Sequence, residues 1–77
     1  MITFVDTEVL MTKDGRIIPK CIFYEDKKYE IDKILDIKRL ASTKGGGSAI
    51  CYFVKIKGYT KKIFLDENKW FIENKDN

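Results

Sequence analysis

Hydrophobic and polar residues alternate with a period of two along most of this chain, and short turn-forming clusters interrupt them at close spacing. Residues 49–57 alternate most cleanly, with Ile50, Tyr52, Val54 and Ile56 on one face and Cys51, Phe53, Lys55 and Lys57 on the other. Side chains of a strand point to opposite faces in turn, so this is a strand with one face inward. Tyr29, Ile31, Leu35 and Ile37 share a phase, and Ile34 is out of step, which predicts a bulge near Asp32-Lys33. Ile63 and Leu65 alternate against Lys62 and Phe64, and Trp70 and Ile72 share a face of a last short strand. Residues 32–41 also fit a short helix with Asp32 as N-cap. Their isoleucine content and β neighbours favour a strand.

The turns are sharply marked. Lys13-Asp14-Gly15-Arg16 carries the Asp-Gly pair that accepts the positive φ angles of tight hairpins. Glu25-Asp26-Lys27-Lys28, Lys57-Gly58-Tyr59-Thr60 and Asp66-Glu67-Asn68-Lys69 each separate two apolar runs, and Lys44-Gly45-Gly46-Gly47-Ser48 reads as a loop. Five turns predict about six strands joined as an antiparallel meander, the pattern of an all-β barrel or sandwich. Pro19 has no N–H to give a ladder, which places its strand at an edge or at a bend there. One domain over residues 1–73 and a polar tail at 74–77 are expected.

Composition narrows the chemistry. Seventy-seven residues can build only a small core, and ten aromatics with eleven isoleucines supply it. Without histidine there is no ordinary general base near neutral pH and no triad built on one. Cys21 and Cys51 stand alone, outside any zinc-ligand spacing, and are expected to be free thiols. Neither a signal-peptide pattern nor an apolar run of about 20 residues is present, so a cytoplasmic location without membrane is expected. No enzyme activity, cofactor, metal or small-molecule substrate is expected.

Charge is polarised along the chain. Between Ile37 and Leu65 lie seven basic residues and no carboxylate, whereas the segments on either side each hold two more carboxylates than basic residues. Thirteen of the fifteen basic residues are lysine, which suits diffuse attraction better than bidentate recognition.

Part of the chain resembles a known kind of domain. The block DGRIIPKCIFYEDKKYEIDKILD, residues 14–36, is similar to a P-x-x-F-x-W-x-G-R-x-Y-x-V-x-x-V-L-D pattern of small uncharacterised bacterial domains. Pro19, Ile22, Tyr24, Asp26, Lys27, Tyr29, Ile31, Ile34, Leu35 and Asp36 occupy its positions. Tyr24 stands in place of Trp and Asp26-Lys27 in place of Gly-Arg, while Lys69-Trp70-Phe71 resembles the closing strand of those domains. The resemblance implies an SH3-like barrel of unknown function, and some such domains accompany DNA-repair polymerases.

The expected function is that of a binding module. With Ile50, Tyr52, Val54 and Ile56 inward, Phe53 would lie outside beside Lys55 and Lys57, with Tyr59, Lys61 and Lys62 on the next strand and Lys44 on the loop. Such a basic, aromatic face would contact an acidic protein partner or a second copy of the chain. The alternative is single-stranded nucleic acid, whose bases stack on rings while ammonium groups meet phosphates.

Overall fold

The structure, a computed structural model, describes the backbone of residues 2–42 and 47–73 and the side chains of 2–40 and 49–73. Eight strands form: β1 (Ile2–Phe4), β2 (Asp6–Met11), β3 (Ile17–Tyr24), β4 (Lys27–Glu30), β5 (Lys33–Ser42), β6 (Gly47–Ile56), β7 (Tyr59–Asp66) and β8 (Lys69–Glu73). The ambiguous segment 32–41 is therefore strand from Lys33 onward, with Asp32 at the corner before it. No helix forms among the described residues, so none is long and apolar enough to cross a membrane.

The strands make two antiparallel sheets, one of five in the order β1-β8-β7-β6-β5 and one of three in the order β2-β3-β4. Two of the expected strands each divide where the chain passes from one sheet to the other. At Val5 the chain leaves β1 for β2, and the Val5 N–H donates to the Trp70 carbonyl at 2.9 Å. At Ile31-Asp32 it leaves β4 for β5, with Ile31 N–H on the Lys20 carbonyl and Asp32 N–H on the Lys55 carbonyl. The sheets thus meet at chain corners, and among the described residues no continuous strand ladder closes them into a barrel.

Three of the turns have positive φ at both central residues: Glu25 and Asp26, Lys57 and Gly58, Glu67 and Asn68. That is the signature of the type I′ hairpin, whose twist matches its flanking strands. Pro19 lies in the central strand of the small sheet, at a register shift where Glu8 pairs Cys21 and Val9 pairs Pro19. It thus occupies a bend rather than an edge. The second bulge falls at Leu35, between the pairs Ile34–Val54 and Asp36–Phe53, and not near Asp32-Lys33. Ile34 packs against the core, while Leu35 and Ile37 are exposed.

Val5, Ile22, Tyr52, Val54, Ile56, Ile63, Leu65 and Trp70 form the main core. Tyr52 packs against Trp70 with ring centroids 5.1 Å apart, and its hydroxyl donates to the Ile17 carbonyl at 3.0 Å, tying the large sheet to the small one. Burial raises the Tyr52 pKa above its ordinary value. Tyr52 therefore adds stability that is complete below about pH 10 and is lost as pH climbs through the raised folded-state pKa. Tyr52→Phe should cost about 1 kcal/mol at neutral pH by removing that hydrogen bond. The gap to wild type should narrow in alkali, as urea midpoints at neutral and strongly alkaline pH would read; a constant gap would refute the assignment.

The other face of the large sheet is also covered. Ala49, Cys51, Phe64 and Phe71 are buried there, with Ile2, Leu40 and Phe53 packed around them. Both cysteines are free and buried. Burial pushes both thiols up, and for Cys21 a hydrogen bond to the Glu8 carboxylate at 3.3 Å adds to it.

Candidate functional site

Alternation divides the expected basic, aromatic face. Phe53 pairs with Lys62 and Asp36, and Lys55 with Thr60 and Lys33, so Phe53, Lys55 and Lys62 share the outer face of the large sheet. Tyr59 pairs with Ile56 and Lys61 with Val54, which places both on the opposite face, the one carrying the main core. Phe53 is half-buried against the outer cluster, and Lys38 Nζ stands 5.8 Å from its ring. Lys44 lies outside the described residues.

A groove nevertheless reunites five of these residues. The β7–β8 ladder runs through Asp66–Lys69, Leu65–Trp70 and Phe64–Phe71 and stops there. β8 continues to Glu73 paired with β1, while β7 extends back to Tyr59 paired with β6. Between the diverging strands an open groove of about 1040 Å³ passes around the edge of β7 from one face of the sheet to the other. Phe53, Lys57, Tyr59, Lys61 and Lys62 all line it; Lys55 does not.

Local bonds set its basic rim. The Lys57 N–H donates to Asp32 Oδ2 at 3.1 Å, and Asp32 is itself tied to the Lys55 carbonyl, so the β4–β5 corner holds the β6–β7 turn. Lys57 Nζ then lies 5.3 Å from the Tyr29 ring, and Lys61 Nζ lies 5.7 Å from the Tyr59 ring. Each is a cation–π contact that holds a flexible ammonium beside a ring. Three lysines face one carboxylate, Glu73, around the groove, and its apolar floor includes Ile22, Ile56, Ile63 and Ile72.

Tyr24 and Tyr29 were not among the residues expected at a site, yet both line the groove. A signal for them exists in the sequence. They flank the Glu25-Asp26 turn, and a two-residue hairpin puts Tyr29 opposite Ile22, on the same face as Tyr24. A second cavity of about 710 Å³ shares Tyr24 and is lined by Asp6, Glu25 and Asp26, so the two cavities differ in the sign of the charge around them. Among the described residues, no three His, Cys, Asp or Glu side chains gather as a metal site.

The chain matches no protein-family model, no curated protein and no solved structure. Its functional reading therefore rests on geometry.

Proposed function

We propose that this protein is a non-enzymatic binding module whose β7–β8 groove takes an extended, acidic segment of a partner protein. The observation that carries the reading is the edge of β7. From Tyr59 to Ile63 this strand pairs only with β6 among the described residues, and the groove runs along its other side. An extended peptide laid there would gain backbone hydrogen bonds as an added strand, with alternate side chains meeting the groove. Tyr24, Tyr29 and Tyr59 offer contact surface at low entropic cost, and Lys57, Lys61 and Lys62 favour carboxylates.

Lysines on an edge strand can also serve to prevent pairing. Solubility alone gives no reason for the rings beside them, and Tyr59 is 68% exposed with a lysine held over it. The apolar floor favours peptide over nucleic acid, because a phosphodiester chain makes no use of four isoleucines. The two sheets joined at corners are, on this reading, an open version of the SH3-like barrel.

Fluorescence anisotropy with two labelled probes tests the proposal: a peptide alternating Glu with Val, and an oligothymidylate. The peptide should bind, and Lys61→Glu/Lys62→Glu should weaken it by at least about tenfold through like-charge repulsion. Binding of the oligothymidylate instead, with a steep salt dependence, would transfer the groove to nucleic acid. Binding of neither probe would refute the groove as a site.

A further inference from the structure

The far edge of the large sheet carries a second, independent feature. β5 is ten residues long, ends the sheet, and among the described residues pairs with β6 alone. Ile37 is 50% exposed and the bulged Leu35 43% exposed, although both are large and apolar. The Ile37 N–H donates at 2.8 Å to the carboxylate of the preceding residue, Asp36. In the antiparallel ladder Asp32 N–H meets the Lys55 carbonyl, and Phe53 and Cys51 face Asp36 and Lys38, so the intervening Ile37 N–H is turned away from β6. It therefore points to the free edge, and Arg39, two residues on, directs its backbone groups the same way. An exposed edge strand with apolar side chains and outward-facing backbone groups is a template for another strand.

The charge order names that strand. Asp36, Ile37 and Lys38 follow one another, with Asp36 and Lys38 on the outer face and more than half exposed, their charged atoms 3.7 Å apart. Run antiparallel against itself about Ile37, the triplet sets each Asp36 opposite a Lys38 and each Ile37 opposite its twin. No other centring on this stretch does so: a two-fold axis at Arg39 would oppose two arginines, and one at Leu35 would oppose Asp36 to Ile34. Residues that face each other directly across an antiparallel pair point to the same side, so the four charges would alternate in sign on one face. The two isoleucines would meet on the other.

We propose that the chain forms a symmetric dimer through antiparallel β5–β5 pairing centred on Ile37, joining two five-stranded sheets into one. The interface is isologous, as a two-fold dimer requires. Asp36 exchanges its hold on the neighbouring N–H for the lysine of the second copy, and the freed Ile37 N–H donates to the opposing Ile37 carbonyl. This pairing uses neither face of the β7–β8 groove, and it stands or falls apart from the function proposed above.

Sedimentation equilibrium of the full chain tests it. Wild type should run at twice the chain mass. Asp36→Lys and Lys38→Asp should each be folded by circular dichroism and monomeric, with dimerisation weakened by at least about tenfold, because each places four like charges together. Mixing the two variants restores opposite charges at both positions, so the mixture should form a heterodimer. The double variant Asp36→Lys/Lys38→Asp should again be a homodimer. A wild-type monomer at every concentration would overturn the proposal. So would a dimer indifferent to these reversals, which would place the contact elsewhere.

Discussion

Phe71→Ala is expected to cost about 3–5 kcal/mol of folding free energy, the range for removing a fully buried aromatic side chain. Phe71 is 2% exposed and lies on the outer face of the large sheet, where a single-core protein would have solvent. It stacks on Phe64 with ring centroids 5.1 Å apart and planes within 7°, and Phe4 meets it edge-on at 5.9 Å. The register explains the row: Phe4 pairs with Phe71, Phe71 with Phe64 and Phe64 with Cys51. Truncation opens a cavity in the middle of this row, since the flanking rings are anchored to different strands and cannot all move in. A domain of this length holds roughly 4–12 kcal/mol in total, so the variant should lose at least about a quarter of its stability. Urea denaturation followed by the fluorescence of Trp70 would measure it. A loss below about 1 kcal/mol would mean that the outer cluster is packed too loosely to be a core.

Much of this architecture is legible in the residues, and the exceptions have physical causes. The strands of the large sheet emerge from alternation, and the two-residue turns from the loops between them. The corners at Val5 and Ile31-Asp32 leave no local trace, because a strand that crosses between sheets keeps its extended backbone throughout. The bulge is misplaced for a related reason. Ile34 and Leu35 are both apolar, so local pattern gives each an equal claim on the core. Pairing with β6 decides between them by holding Ile34 opposite Val54 and Ile37 opposite Tyr52, which leaves Leu35 as the extra residue.

The outer cluster had a signal that alternation hides. Ile63-Phe64-Leu65 and Trp70-Phe71-Ile72 are unbroken apolar runs, the mark of strands covered on both faces. Reading them as two-sided places Phe53 at the rim of a second core instead of alone in solvent. That in turn changes the candidate site. With Phe53 partly committed to packing, the exposed ring beside the lysines is Tyr59, on the opposite face. The groove brings the two together only because β8 parts from β7 after Phe71, and no periodicity in either strand encodes where two ladders separate.

Trp70→Ala should be about as damaging as Phe71→Ala, although the two neighbouring side chains point to opposite faces of β8. Trp70 is 8% exposed in the main core, against Tyr52, and its backbone carbonyl receives the Val5 N–H that turns the chain from one sheet to the other. Removing the indole leaves Tyr52 without its ring partner, and the Tyr52 hydroxyl is the tie to Ile17 on the small sheet. A loss of about 3–5 kcal/mol follows from the buried volume. For a domain of this size that lowers the melting temperature by tens of degrees. Trp70→Phe keeps most of the apolar surface and should retain well over half of that stability, with circular dichroism as the readout since the only tryptophan is gone. If Trp70→Ala were mild while Phe71→Ala were severe, the outer cluster and not the space between the sheets would be the principal core. Comparable losses would mean that β8 is held from both sides. That is the condition for its end to stand away from β7 and keep the groove open.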